Sequence, residues 1–228
     1  MNKTLLFGNG LNQLTADLIS WKDLLDNIKS KNKFDNLNLP NTMIYERILM
    51  ERPKSNEGIY HVEGSIKFEI AEQMRSIGTN EYYDKVFDLG FKNYLTTNYD
   101  YAFKNKIESK NHTSKNNSTE DVYSIRRNTS ILDKNEKEVC KIWNIHGEID
   151  NPSSIMLGLD HYCGSIGKLD AYLKGTYEFQ DNKKPIRVNP ITSKIKERNY
   201  DGHSWIELFF NSDIHIIGLS LDYSETDL

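Results

Sequence analysis

The chain has 228 residues, of which 37% are hydrophobic and 27% charged, with a formal net charge of −4 at pH 7. This length allows one good-sized core or one core with a small appendage. The negative charge, and the lack of any Lys- and Arg-rich run interleaved with aromatic residues, argue against a nucleic-acid-binding protein. No apolar stretch approaches the roughly 20 residues that cross a bilayer, and none suits a signal peptide. We therefore expect a cytoplasmic protein that binds neither nucleic acid nor membrane.

The two cysteines, Cys140 and Cys163, form no CxxC pair. Such a pattern excludes a zinc ribbon and a disulfide framework. Both residues are expected to be reduced, small core residues, and no metal is expected.

The first half of the chain reads as a strand, a polar loop and helices. Thr4 to Phe7 predicts a buried strand that breaks into Gly8-Asn9-Gly10. The segment "SWKDLLDNIKS" predicts an amphipathic helix, with Ser20 as its N-cap and Asp23 in its first turn. A helical insertion is predicted over about 30–85, from "TMIYERILM" and "EGSIKFEIAEQMRSI".

Strand character returns around Tyr94 to Thr97, and "YAFKNKI" then restarts a helix, as in the βα unit of a parallel sheet. A flexible polar loop is predicted over about 110–121, which has no large apolar side chain. Further strands are predicted at "VYSIRRNTSI", "EVCKIWNI", "SIMLGL" and "DIHIIGL", the last of them buried. Helices are predicted at "SWIELFF", "SLDYSETDL" and "LDHYCGSIGKLDAYLKG", which stops at Gly175.

This alternation predicts an α/β fold: a Rossmann-like open, mostly parallel sheet flanked by helices, with a helical insertion and no zinc module. We expect a single domain over 1–228 and regard the chain as the N-terminal part of a longer protein. Ligands of such sheets bind beyond the carboxyl ends of the strands, and the polar motifs lie at those ends.

The first motif is Gly8-Asn9-Gly10-Leu11-Asn12, which follows a strand. Loops of this kind let backbone N–H groups approach a pyrophosphate. Gln13 stands where the dinucleotide fingerprint has its third glycine, which disfavours a hydride-transfer dehydrogenase. An ordinary Asn-Gly turn without a ligand explains the loop equally well.

The second motif is Asn98 and Asp100, at the end of a strand. An Asx-type cap on the next helix would account for Asp100 alone. Asp100 thus leaves Asn98 unexplained, and the neutral amide of Asn98 suits the positioning of a water or a substrate hydroxyl without adding charge beside a cationic centre.

Two further strand ends carry polar groups. His146, before Gly147, is a candidate general base because the ordinary imidazole pKa is about 6.5, although a hydrogen-bonded structural histidine is the simpler interpretation. Gly218-Leu219-Ser220-Leu221 is either a strand-to-helix turn or a second nucleotide contact.

In this order the motifs resemble the sirtuin superfamily. The segment Thr96-Thr97-Asn98-Tyr99-Asp100 resembles that family's Thr-Gln-Asn-Ile-Asp, His146-Gly147 its catalytic His-Gly, and Gly218-Leu219-Ser220 its ribose loop. The resemblance implies that NAD is bound as a substrate, with Asn98, His146 and Asp100 catalytic. The residues it implies as NAD contacts are Gly8, Asn9, Gly10, Asn12, Thr97, Gly218, Ser220 and Leu221.

Two departures indicate the subtype. The family's four zinc-binding cysteines are missing, and "TADLISWKDLL" replaces its Pro-Asp-Phe-Arg segment, so the residue between Asn12 and Asp23 that closes over nicotinamide is open. The pattern resembles bacterial sirtuin-like domains of antiphage defence proteins, which implies an NAD⁺ glycohydrolase. Because unregulated hydrolysis of NAD would harm the host, we expect control by homo-oligomerisation, a regulatory partner or a C-terminal domain. A non-catalytic NAD or ADP-ribose sensing module is the alternative. Transfer of ADP-ribose or an acyl group to a protein is disfavoured by the missing zinc module.

Overall fold

The computed structural model describes residues 2–15, 20–29, 34–36, 38–52, 58–117, 122–181 and 183–219. The strands of these ranges, in chain order, are β1 (Asn2–Phe7), β2 (Asn93–Thr96), β3 (Thr113–Asn116), β4 (Thr129–Leu132), β5 (Glu138–Asn144), β6 (Glu178–Asp181), β7 (Lys184–Arg187) and β8 (Ser212–Ile217). The α-helices are α1 (Trp21–Lys29), α2 (Asn41–Glu51), α3 (Ile59–Arg75), α4 (Tyr82–Asp88), α5 (Ala102–Glu108), α6 (Leu159–Lys174), α7 (Ile191–Glu197) and α8 (Leu208–Asn211). None of the helices in these ranges is long and apolar enough to span a bilayer.

One open sheet has the strand order β3-β4-β5-β2-β1-β8, and β6 and β7 form a separate hairpin. The four strands β5, β2, β1 and β8 are mutually parallel, whereas β3 and β4 extend the sheet in an antiparallel manner. Thr96 is in register with both Phe7 and Asn144, and Phe7 is in register with Ile217. The carboxyl ends of the four parallel strands therefore lie side by side along one side of the sheet. The predicted Rossmann-like α/β fold is confirmed.

Apolar side chains cover both faces of the parallel strands, because a buried parallel sheet alternates its residues between two helical layers. Phe7 packs on one face with Tyr83 of α4 and Phe103 of α5, and the adjacent Leu6 packs on the other face with Tyr172 of α6. Helices α1, α2 and α3 share a third apolar cluster, which includes the loop residues Tyr99 and Ile155. Loop residues that follow the strands thus pack into an apolar cluster separate from the two that cover the sheet.

Two helix ends follow directly from local sequence. At the start of α1, Ser20 Oγ accepts from the Asp23 backbone N–H at 3.1 Å, and the Asp23 carboxylate accepts from the Ser20 backbone N–H at 3.3 Å. This reciprocal pair is a capping box. Helix α6 ends as predicted at Gly175, whose φ of 73° is left-handed.

Four sequence predictions are wrong. Within the predicted loop at 110–121, Thr113–Asn116 forms β3, since an edge strand needs backbone pairing with β4 but no apolar side chains. Ile155 and its neighbours in "SIMLGL" are buried but pair with no strand among the described residues. Strand β8 is half exposed because it lies at the sheet edge. Cys163 is exposed, whereas Cys140 is buried as predicted. A fifth prediction, the helix "SLDYSETDL", falls outside the described residues.

Replacing Gly175 with Ala should lower the free energy of unfolding by about 2 kcal/mol, because the left-handed region penalises a side chain. A Cβ atom there would also lie 2.7 Å from the Pro190 ring. The matched control is Gly167→Ala in the same helix, where a Cβ meets nothing within 4 Å; this change should stabilise by about 0.5–1 kcal/mol. Urea unfolding of both variants tests the pair, and equal midpoints would contradict it.

Candidate functional site

The four polar motifs lie together because the ends of the parallel strands are hydrogen-bonded to one another. The Gly8 N–H donates to Ile217 O at 3.4 Å, the Thr97 N–H to Phe7 O at 3.4 Å, and the Ile145 N–H to Thr96 O at 3.0 Å. These bonds continue the sheet one residue past each strand. Everything that follows β1, β2, β5 and β8 therefore starts from the same edge.

The glycines of the first and last motifs pack against each other. The Gly10 N–H donates to Gly218 O at 2.8 Å, and a Cβ atom on Gly10 would lie only 2.6 Å from Gly218 Cα. A Cβ on Gly8 would lie 2.6 Å from a Leu219 methyl carbon. The close approach of the loop after β8 thus explains why Gly8 and Gly10 lack side chains, independently of any ligand.

An open cleft of about 270 Å³ lies beside this glycine contact. It is lined by Asn9, Gly10, Gln13, Trp21, Thr97, Gly218 and Leu219. Four of the eight predicted NAD contacts are thus cleft residues. Gly8 and Asn12 are buried instead, and Ser220 and Leu221 lie outside the described residues.

Asn12 is a fully buried hub rather than a cleft residue. Its Nδ2 donates to Asn9 Oδ1 at 3.0 Å and to Asp100 Oδ2 at 2.8 Å, and its Oδ1 accepts from the Tyr83 hydroxyl. One amide therefore ties the loop after β1 to the loop after β2 and to helix α4.

Asp100 has both carboxylate oxygens occupied. Oδ1 accepts from the Ala102 N–H at 2.8 Å, which caps the start of α5 as the simpler sequence interpretation required. Oδ2 accepts from Asn12. Burial raises the pKa of Asp100, and the bonds from Ala102 and Asn12 oppose that rise. The carboxylate orders the loop, but its oxygens do not line the open cleft.

Asn98 differs from its neighbours in having an unused donor. Its backbone is fixed on both sides: the N–H donates to Thr96 Oγ1 at 3.1 Å, and the carbonyl accepts from Asn144 Nδ2 at 3.2 Å. The side chain is 9% exposed, and Nδ2 finds no hydrogen-bond partner among the described residues. Asn98 and Asp100 line an enclosed cavity of about 10 Å³, about the size of one water.

His146 is 2% exposed and lies outside both the cleft and this enclosed cavity. Its ring packs nearly perpendicular to the ring of Tyr162, with centroids 5.3 Å apart. Gly147 makes the tight return that follows: its φ is 110°, and a Cβ there would lie 2.4 Å from Ser154 O. The candidate base is therefore at the predicted strand end but covered.

Sequence reasoning missed several residues of this region. Trp21 begins α1 and lines the cleft, with its ring 5.6 Å from Tyr99 in an edge arrangement. The helical spacing of Trp21 predicts a residue that packs against the core, whereas Trp21 is half-buried and lines the cleft. A buried ion pair joins Arg127 Nε to Glu148 Oε1 at 3.2 Å, and no local pattern signals a pair so distant in sequence.

No group of three or more His, Cys, Asp or Glu side chains suited to a metal occurs in the part of the chain that the structure describes. The donors at the strand ends are amides, backbone groups and one carboxylate.

Comparison with protein families agrees with this geometry. Residues 92–178 match the family model described as a SIR2-like domain. This part of the chain is therefore similar to a SIR2-like domain. The match covers Asn98, Asp100 and His146 and confirms the sirtuin-like resemblance, and an NAD-related function follows from it. No curated protein matches the chain.

Asn12→Ala should lower the free energy of unfolding by about 2–4 kcal/mol, because it leaves the buried Asp100 carboxylate and the Tyr83 hydroxyl each without one partner. Asn9→Ala is the matched control, since it removes a single bond from the same amide at a half-buried position. That change should cost less than about 1 kcal/mol. Chemical denaturation of both proteins tests the ranking, and equal losses would show that Asn12 is not the hub.

Proposed function

We propose that this protein is an NAD⁺ glycohydrolase that cleaves the nicotinamide–ribose bond to give nicotinamide and ADP-ribose. Two findings support the proposal: the SIR2-like domain over 92–178, and the meeting of the Gly10, Thr97 and Gly218 loops at one sheet edge beside an open cleft. The observation that carries most weight is Asn98, whose buried amide donor has no partner among the described residues while its backbone is held on both sides.

In the proposed site, NAD is the substrate and the cleft is its binding surface. Asn9, Gly10, Thr97 and Gly218 offer backbone and amide groups to its pyrophosphate and ribose. Gly8, Asn12, Ser220 and Leu221 complete the proposed set. Trp21 is the proposed residue that covers the nicotinamide ring, because it is an aromatic residue between Asn12 and Asp23 that lines the cleft. A pyridinium ring over an indole face gains cation–π energy.

The proposed reaction needs no general acid. The N-glycosyl bond breaks with its electron pair going to the nicotinamide nitrogen, which leaves as a neutral molecule, and positive charge develops on the ribose. Water adds to the ribose carbon, and His146 takes up the proton that this water loses. Asn98 positions the water or the ribose through its amide, which adds no charge next to the cation. Asp100 orders the nicotinamide-ribose end through the loop that it caps.

A catalytically silent NAD or ADP-ribose sensor is the second candidate. It is favoured by the burial of His146, which is 2% exposed and faces Tyr162 rather than the cleft. Asp100 also has both oxygens engaged within the protein. Under this alternative the cleft binds the nucleotide and a partner domain reads the result.

The cellular setting is part of the same proposal. We place the protein in the bacterial cytoplasm as an antiphage, abortive-infection effector, built as one domain over 1–228 with a helical insertion at about 30–85. Hydrolysis of NAD harms the cell that carries it out. Control by homo-oligomerisation, by a regulatory partner or by a C-terminal domain therefore belongs to the proposal.

Release of nicotinamide from NAD by the purified chain tests the hydrolase. Asn98→Ala and His146→Ala should each lower the rate roughly 100-fold or more, as expected for a positioned acid–base group. His61→Ala, at an exposed position on α3, is the matched histidine control and should retain full activity. Retained hydrolysis in both site variants would refute the assignment. Tight NAD binding without release, at every protein concentration, would support the sensor.

Tryptophan fluorescence tests the proposed ring contact separately from turnover. Of the three tryptophans, Trp143 and Trp205 are buried, whereas Trp21 lines the cleft. NAD should quench the emission of the native protein, and Trp21→Phe should abolish most of that change. Trp205→Phe is the control and should preserve it. A quench that survives in Trp21→Phe would remove Trp21 from the nucleotide site.

A further inference from the structure

The loops that carry the candidate catalytic residues are joined to each other more tightly than adjacent strands require. After β2 and β5 end, the Ile149 N–H donates to Tyr99 O at 3.1 Å, and the Tyr99 hydroxyl donates to Met156 O. The Tyr101 hydroxyl donates to Glu148 Oε2 at 2.8 Å. These bonds connect the loop of Asn98 and Asp100 with the loop of His146.

Glu148 is the charged member of this junction and is 2% exposed. Its Oε2 accepts a hydrogen bond from the Tyr101 hydroxyl, and its Oε1 lies 3.2 Å from Arg127 Nε. The Glu148 backbone N–H donates to Ser154 Oγ at 3.0 Å. Arg127 is 1% exposed. Glu148 therefore links the loop after β2, the loop after β5 and the segment before β4.

A pair so deeply buried contributes little to stability, because desolvation offsets most of the attraction between the two charges. Apolar residues of similar size often serve stability as well or better. What a buried pair with a third hydrogen bond does provide is a fixed geometry. Burial and the nearby Glu148 raise the pKa of Tyr101, so its hydroxyl stays a donor throughout the physiological range.

We propose that Glu148 is a positioning residue which, through the Tyr101 hydroxyl, sets the placement of Asn98 and Asp100 relative to His146. Tyr101 directly follows Asp100 and lines the same enclosed cavity as Asn98 and Asp100. Glu148 stands two residues after His146. A shift of one loop against the other by a fraction of an ångström would misalign an amide and a base that act on one substrate. This inference rests on the proposed hydrolase.

Tyr101→Phe tests the link because it removes one hydroxyl and keeps the ring. Glu148→Ala is unsuitable, since it would take the counter-charge from the buried Arg127. In Tyr101→Phe, kcat for nicotinamide release should fall roughly 10- to 100-fold, while NAD affinity, measured by titration of intrinsic fluorescence, stays within about twofold. Tyr94→Phe is the matched control. Its buried hydroxyl bonds Phe87 O at 3.2 Å, away from the loops, and its kcat should match the native protein.

The outcomes separate the two proposals. A native protein that hydrolyses NAD while Tyr101→Phe keeps its kcat, or loses no more than Tyr94→Phe, overturns the positioning role. A native protein that never releases nicotinamide overturns the hydrolase. The positioning role is then decided by amide hydrogen exchange. In Tyr101→Phe, the Ile149 amide and residues 97–101 should exchange roughly tenfold faster than in Tyr94→Phe. Unchanged exchange in either segment would overturn it.

Discussion

The parallel direction of four adjacent strands is the constraint on which the rest of this structure depends. Strands β5, β2, β1 and β8 all end on the same side of the sheet, so four loops far apart in sequence begin next to one another, with about 4.8 Å between neighbouring strands. A parallel sheet leaves its last backbone groups unpaired at that edge unless the loops supply partners. Here they do, because bonds from Gly8, Thr97 and Ile145 continue the ladder past the strand ends.

The polar residues at this edge divide into those that hold the loops and those that remain available. Asn12 and Asp100 are hydrogen-bonded to each other. Asn12 also accepts from the Tyr83 hydroxyl, and Asp100 accepts from the backbone N–H at the start of α5. Asn9, Gly10, Thr97 and Gly218 face an open cleft. Asn98 belongs to neither group: its backbone is hydrogen-bonded and its amide nitrogen is not, but it lines the small cavity rather than the cleft. A polar motif in a sequence can therefore contain structural and ligand-facing residues side by side.

Much of the fold follows from local sequence, because the relevant physics is local. The Ser20–Asp23 capping box, the end of α6 at Gly175 and the strand before Gly8 each depend on a few neighbouring residues. Strand β3 and the exposure of β8 depend on position in the sheet, which composition does not report. The hairpin of β6 and β7 and helix α4 carry weak periodicity and were not predicted.

The candidate site shows the same division. The order of the motifs indicated the sirtuin-like family, since each motif is contiguous and follows a strand. The roles of Asn12 and Glu148 were not predictable, because they depend on partners far along the chain. Asp100 is 88 residues from Asn12, and Arg127 is 21 residues from Glu148. Trp21 was misjudged for a different reason. A residue at the start of an amphipathic helix can pack against Tyr99 and still line a cleft.

The burial of His146 bears on how a hydrolase of this design would work. Its ring packs against Tyr162, and its backbone carbonyl accepts a hydrogen bond from the Met156 N–H at 2.9 Å. A base in this position reaches a substrate proton only after a side chain or loop moves, so turnover would depend on a rearrangement that NAD binding or assembly can bias. The hydrogen-bonded junction between the loop of Asn98 and Asp100 and the loop of His146 limits which movement is available. If these two loops move as one unit, an element left to move is α6, whose Tyr162 contacts the His146 ring. Under the proposed hydrolase function, a resting state that keeps the candidate base His146 buried would suit an enzyme whose unregulated activity exhausts its own cell.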